Sequence, residues 1–309
     1  MKLLVIVGPT GVGKTATAVA LASRVPLEVI SADSRQVYRS MDVATGKPTA
    51  AERRAVTHHL IDVVDPDDRY QAARFRDDAT RLIPEIHRRG RLPVIVGGTG
   101  LYIRALLRGL DPAPPADPEF REELETVATR EGATALHERL RVAAPEMAQR
   151  LHPNDRVRIV RALELARAGS ALGDAQVRWR SRESDYAPLY VGLTMPGETL
   201  DETLRARVRA MVANGLADEV RRLLERGFDA SLSSMRGIGY RQFIDVARGE
   251  ASVEDAVHLM ERDTTRYARR QRTWFRREPG IQWIDVAEAG GPEGVASRIE
   301  TLLTEGGLL

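Results

Sequence analysis

Cysteine is absent from the 309 residues. No disulfide can brace the fold, no thiolate can serve as a nucleophile, and no zinc can be held by cysteine sulfur. Such a composition fits a reducing cytoplasm, which is the expected location. No apolar run reaches the length needed to cross a bilayer, and the opening MKLLVIVGPT reads as a core strand entering a polar loop, not as a signal peptide. Charge of one sign is also scarce in excess. Lys and Arg number 46 against 44 Asp and Glu, a net +2 that does not by itself imply a polyanionic partner. Internal repeats and low-complexity segments are missing.

What remains is enough for one large or two modest domains, with 43% hydrophobic residues to build a core. The most informative stretch is LLVIVGPTGVGKT, residues 3–15. Leu3 to Val7 read as a buried strand. Gly8, Pro9, Thr10, Gly11, Val12, Gly13, Lys14 and Thr15 then fit G-x-x-x-x-G-K-[ST] without a gap. Such a loop turns backbone N–H groups around a phosphate, Lys14 adds a positive charge, and the Thr15 hydroxyl suits Mg²⁺. A helix from Ala16 to Arg24 aims its N-terminus at the same anion.

A second strand, Leu27 to Ser31, leads into Ala32-Asp33-Ser34-Arg35-Gln36, and a third, Leu92 to Val96, into Gly97-Gly98-Thr99-Gly100. In a parallel sheet the carboxyl ends of strands share one edge, so Asp33 and Thr99 are expected beside Lys14. Asp33 can also serve as a helix N-cap without losing that place. Residues 40–55 read as irregular, Val56 to Val64 as a strand, and Ala72 to Arg89 as a helix interrupted at Pro84. His58 and His59 are adjacent, point to opposite faces of a strand, and are poor joint metal ligands.

The stiff stretch Asp111 to Pro115 opens a helical region with no convincing strand, in which Asn154 is the expected N-cap for Asp155 to Arg167. Residues 170–187 read as loop, and strand character returns at Leu189 to Met195. The fold class is therefore α/β: a P-loop NTPase-like parallel sheet built from 1–111 and 188–309, with a helical insertion at 112–187. Helices are expected at Glu198–Asn214, Leu216–Arg226, Gly239–Arg248 and Ser252–Arg277, with a last strand at Ile281–Val286. Arg205, Arg207 and Arg209 splay around the first of these helices, so at most two can face one site. Residues 262–277 hold seven arginines and one aspartate, with Tyr267, Trp274 and Phe275 interleaved. That pattern suits RNA, and equally suits a surface helix with arginines outward and aromatics inward.

Three chemistries use a phosphate loop here: phosphoryl transfer, a nucleotide-driven switch, or a reaction in which diphosphate departs. No acid ends the 92–96 strand, where many P-loop phosphotransferases carry an aspartate. The third option uses every piece, with Asp33 as general base, Lys14 and an arginine stabilising pyrophosphate, and Thr99 orienting a reacting group.

The chain resembles the bacterial-type tRNA dimethylallyltransferases, also called tRNA isopentenyltransferases. The matching segments are GPTGVGKT at 8–15, ADSRQVYR at 32–39, GKPT at 46–49, HHLID at 58–62, GGTGLYIRALL at 97–107, NDRVRIVRALE at 154–164, RVRAMVANGLADEV at 207–220, RGIGYRQ at 236–242 and RRQRTWFRR at 269–277. The resemblance implies transfer of a dimethylallyl group from its diphosphate to N6 of adenosine 37, in tRNAs that read codons beginning with U. It implies catalytic roles for Asp33, Thr99 and Arg207, and diphosphate and Mg²⁺ binding at Gly8 to Thr15, with Thr15 on the metal. It lays an RNA path along Asp33, Ser34, Arg35 and Gln36, along Val157, Arg158, Ile159, Val160 and Arg161, and along Arg236, Gly237, Ile238, Gly239, Tyr240 and Arg241. The insertion is expected to grip the anticodon stem, and the target base to flip out of its loop. The expected state is a monomer. Val157 departs from the glutamine common at its place in the family and cannot hydrogen-bond a base. No cysteine exists to form the zinc finger of eukaryotic relatives. The rival activities are prenylation of free adenine nucleotide, small-molecule phosphorylation, and non-catalytic tRNA binding.

Overall fold

The structure is a computed structural model that describes residues 1–110, 114, 116–169 and 186–309. The chain divides into two compact units, Met1–Leu107 with Ser184–Leu309, and Arg108–Glu183. Residues 170–185 of the expected 170–187 loop and most of the 111–115 linker lie outside the described residues, and Ala187 already belongs to β5.

The larger unit is built on six parallel strands: β1 (Lys2–Val7), β2 (Leu27–Ala32), β3 (His58–His59), β4 (Leu92–Gly97), β5 (Ala187–Thr194) and β6 (Gln282–Asp285), in the order β3-β2-β4-β1-β5-β6. The central strands are continuous apolar runs because helices cover both faces. Leu3 to Val7 are wholly buried. Register then fixes the site. Val7 pairs with Gly97, and Gly97 with Ala32, so the residues that follow, Gly8, Gly98 and Asp33, leave the sheet at one edge.

Helices α1 (Lys14–Ala22), α2 (Ala50–Ala55), α3 (Ala72–Arg88) and α4 (Gly100–Arg108) connect or flank the first four strands. The predicted irregularity of 40–55 needs correction. Thr49 and Glu52 form a reciprocal capping box that starts α2. The predicted 56–64 strand shrinks to two residues. Leu60 and Asp62 take positive φ values of 61° and 58°, and the Asp62, Val63 and Val64 amides bond to the Gln36 and Val37 carbonyls instead of extending beside β2. Asp62 is held in that turn by Lys47 at 2.5 Å and Arg53 at 2.9 Å.

The second unit packs α5 (Pro118–Glu131), α6 (Ala133–Ala143), α7 (Pro145–Arg150) and α8 (Arg156–Arg167) around Leu124, Leu136, Leu140 and Ile159. The cap of α8 is Asp155, not Asn154: its side chain accepts from the Arg158 amide at 3.3 Å.

The larger unit resumes with α9 (Gly197–Ala213), α10 (Leu216–Glu225), α11 (Tyr240–Arg248), α12 (Val253–Phe275) and, unforeseen, α13 (Pro292–Glu305). Val295, Ala296, Ile299 and Leu303 bury one face of α13 in the core shared with α1. Among the described residues no helix is long and apolar enough to cross a membrane.

Candidate active site

The phosphate loop turns between β1 and α1 with Gly13 at φ 94°, a conformation that a Cβ would oppose. Lys14 folds back so that its ammonium donates to the Gly8 carbonyl at 3.0 Å and the Pro9 carbonyl at 2.8 Å. Burial lowers its pKa to about 8; the Asp33 charge opposes that shift and the Arg207 charge adds to it. Lys14, Asp33 and Arg207 therefore form one electrostatic cluster, drawn from the start of α1, the end of β2 and α9.

Asp33 follows β2 directly. Both of its hydrogen bonds from described residues go to Oδ1, from the Arg35 amide at 2.8 Å and the Gln36 amide at 3.3 Å. The expected helix N-cap needs correction: no helix follows Asp33, which instead caps a turn over 34–37, and its carboxylate still lines the site. Thr99 accepts from the Ser34 amide at 3.0 Å, which ties the β4 loop to the β2 loop.

Arg207 is the arginine of its helix that turns inward, while Arg205 and Arg209 are exposed. Gly46 makes room for it: a Cβ there would lie 2.0 Å from the Arg207 Nη2. The loop bearing Gly46 is pinned from two directions. Lys47 donates to the Tyr38 carbonyl at 2.6 Å and to Asp42 and Asp62, and the buried Glu219 carboxylate accepts from the Asp42 and Val43 amides and from the Tyr240 hydroxyl.

Two cavities meet these groups. The larger, about 1090 Å³, runs along Lys14, Thr15 and the 42–53 segment; the smaller, about 270 Å³, lies toward Arg236, Tyr240, Tyr267 and Arg270. Thr10, Asp33, Thr45, Arg207 and Met211 line both. A carboxylate and a guanidinium thus stand where two ligands, one in each cavity, would face each other.

The candidate RNA residues separate by position. Ser34, Arg35, Arg236, Gly237, Ile238, Tyr240 and Arg241 all border the smaller cavity. Within that set Arg35 donates to the Ser233 and Ser234 carbonyls, Arg241 pairs with Asp263 at 2.6 Å, and Tyr240 is only 1% exposed. Gly239 starts α11 with its amide bonded to Gln242, and Gln36 is spent inside the fold, on Ser31 and the Gly46 carbonyl. The 157–161 run needs correction as a single contact surface, because five successive helical residues cannot share a face. Val157 is 82% exposed and Arg158 is exposed, but Ile159 is fully buried in the core of its unit, Val160 packs against that core, and Arg161 bonds to Glu164 and the Pro114 carbonyl.

The aromatic residues near the C-terminal arginines also turn inward. Phe275 is buried, and Trp274 lies under the Arg104 guanidinium, 4.2 Å from its ring centre. Tyr267 and Arg270, from the arginine- and aromatic-rich 262–277 stretch but not among the expected site residues, reach the smaller cavity; burial and the Asp33 charge push the Tyr267 hydroxyl above its ordinary pKa. His58 and His59 hydrogen-bond to the Val56 carbonyl and Glu28, and no cluster of three or more metal-ligating His, Cys, Asp or Glu residues exists among the described residues. The Thr15 hydroxyl lines the larger cavity and is the side chain that would suit a Mg²⁺ ion there.

Residues 36–278 match the sequence model of the IPP transferase family, and residues 1–66 that of isopentenyl transferases. A tRNA dimethylallyltransferase of Thermomicrobium roseum is 47% identical over 98% of this chain and 92% of its own. The tRNA isopentenylpyrophosphate transferase of Bacillus halodurans has the same fold, with a TM-score of 0.70 at 41% identity, covering 98% of this chain and 97% of that one. A eukaryotic dimethylallyltransferase solved acting on tRNA superimposes with a TM-score of 0.74 at 27% identity, over 92% of this chain and 73% of that one. Family match, full-length identity and shared fold agree: the chain belongs to the tRNA dimethylallyltransferase (IPP transferase) family.

Proposed function

We infer that this enzyme transfers a dimethylallyl group from dimethylallyl diphosphate to N6 of adenosine 37 in tRNAs reading codons that begin with U. The observation that carries the reading is the shared wall of the two cavities, where Asp33 and Arg207 stand beside the phosphate loop. The donor occupies the larger cavity with its diphosphate on Gly8 to Thr15. The adenine enters the smaller one, between Asp33 and the Tyr267 side.

Adenine N6 is a weak nucleophile because its lone pair is delocalised into the ring. As its bond to the allylic carbon forms, the carbon–oxygen bond breaks and pyrophosphate leaves with the electron pair. Asp33 accepts the N6 proton, and Lys14 and Arg207 oppose the charge that builds on the departing oxygen. Thr99 holds the Asp33 turn through the Ser34 amide. Thr15 would hold a Mg²⁺ ion at the diphosphate, and such an ion would supply further charge neutralisation. Val157 and Arg158 on the second unit, and Arg236 and Arg241 on the larger one, contact the anticodon stem-loop. The enzyme acts as a monomer in the cytoplasm.

The test is transfer of label from dimethylallyl diphosphate, with Mg²⁺, to unmodified tRNA carrying A36-A37-A38 or to free AMP. Label in tRNA alone is expected. Label in AMP assigns the chain to nucleotide prenylation, and no transfer, with ATP turned over instead, refutes the reading.

A further inference from the structure

Gln271 lies on α12, 6% exposed, and joins two of the loops that leave the sheet at the site. Its Oε1 accepts from the Thr10 amide at 2.8 Å, and its Nε2 donates to the Gly98 carbonyl at 3.0 Å. Both loops are shaped around α12. A Cβ on Gly98 would lie 2.1 Å from the Gln271 Nε2, and one on Gly100 would lie 2.1 Å from the Trp274 Nε1, one helical turn further on. Thr99, between those two glycines, accepts from the Ser34 amide next to Asp33. The glycines of GGTG therefore seat a helix, and a continuous line of hydrogen bonds and peptide links runs from Thr10 through Gln271 and Thr99 to Asp33.

We propose that Gln271 is a positioning residue for the transfer reaction: by spanning Thr10 and Gly98 it sets the distance between the diphosphate loop and the Thr99–Ser34–Asp33 segment, and so aligns the donor carbon with the acceptor nitrogen. The proposal rests on the transferase reading above. Only a carboxamide meets both demands, since it accepts through oxygen and donates through nitrogen; a carboxylate can only accept and an aliphatic chain does neither. Displacement of a reacting group by about 1 Å costs roughly 10² in rate even when the cause lies away from the chemistry.

The test compares the wild type with Gln271→Leu and Gln271→Glu in steady-state transfer to tRNA. Gln271→Leu keeps the volume and loses both hydrogen bonds. It is expected to lower kcat by roughly 10- to 100-fold, with KM for both substrates within about threefold of wild type. Gln271→Glu restores the full hydrogen-bond set only when its carboxyl is protonated. Its rate relative to wild type is therefore expected to climb as pH falls from about 8 to about 5.5. A structural role alone would lower thermal stability and leave kcat per folded molecule and the pH ratio flat, and that result overturns the proposal. If the leucine variant does not fold, Gly98→Ala in a Gln271→Ala background supplies the second measure. The clash removed, the double variant is expected to be more stable than Gly98→Ala alone, with kcat still low; wild-type kcat in that double variant also overturns the proposal. A wild type that transfers to neither tRNA nor AMP defeats the transferase reading instead, so the two failures are distinct.

Discussion

The depressed pKa of Lys14 makes binding of the diphosphate pH-dependent in a range that is easy to reach. With a pKa of about 8, the ammonium is largely charged at neutral pH and is lost above that value. Burial is the main cause, so the sign is that of a cation disfavoured by desolvation. Affinity for dimethylallyl diphosphate, a monoester whose own ionisation is complete by about pH 8, should therefore fall by up to roughly tenfold for each unit above that value. A bound anion restores the charged form, so complex formation should take up close to one proton at about pH 9 and almost none at about pH 7. Titration calorimetry in two buffers of different ionisation enthalpy measures that uptake directly. The neighbours add a sharper condition. Asp33 raises the Lys14 pKa and Arg207 lowers it, so Asp33→Asn should move the alkaline limb to lower pH and Arg207→Gln should move it to higher pH, although the latter also weakens binding throughout. Affinity that stays level through about pH 9.5, with no proton uptake, refutes the coupling of these three groups.

Asp33→Ala should reduce transfer by roughly 10²–10⁴ while tRNA still binds, checked by single-turnover rates beside a filter-binding Kd. Arg207→Ala should impair turnover severely and Arg205→Ala should not, because only the former faces the cavities; equal kinetic effects would contradict the helix orientation. Glu219→Ala strands the Asp42 and Val43 amides and the Tyr240 hydroxyl, and should cost about 2–5 kcal/mol in denaturant unfolding, with activity falling as the Gly46 loop loosens. On the second unit, Arg158→Ala should weaken tRNA binding and flatten its salt dependence without lowering stability, whereas Ile159→Ala should destabilise by about 2–5 kcal/mol through a core cavity.

What the residues reveal on their own is what local pattern can encode. The run Leu3 to Val7 followed by GPTGVGKT states strand, loop and helix within a few residues, and the apolar runs ending at Ala32 and Gly97 place Asp33 and Thr99 at the same edge. The features that escaped depend on partners far along the chain. Gln271 is 261 residues from Thr10, and Glu219 is 177 from Asp42, so although both lie in segments that carry the family resemblance, their partners cannot be read from local pattern. The 56–64 strand was misjudged because its apolar pattern is overruled by Lys47 and Arg53, which draw Asp62 into a turn. Helix α13 was in fact legible: Gly291-Pro292-Glu293 is a start signal, and Val295, Ile299 and Leu303 recur at helical spacing. Five consecutive residues at 157–161 could not all touch RNA, and helical periodicity alone would have separated Ile159 from Val157.

The strand order also has a consequence for how the protein is made. The neighbours of β1 in the sheet are β4 and β5, not β2, so β1 has no partner until residues 92–97 emerge from the ribosome and no second one until 187–194. At translation speeds of about 5–20 residues per second, the five wholly apolar residues of β1 wait about 10–40 seconds until both neighbours are made. Their protection over that interval falls to chaperones or to transient collapse, and the phosphate loop behind them meets Gln271 only when most of the polypeptide has been synthesised.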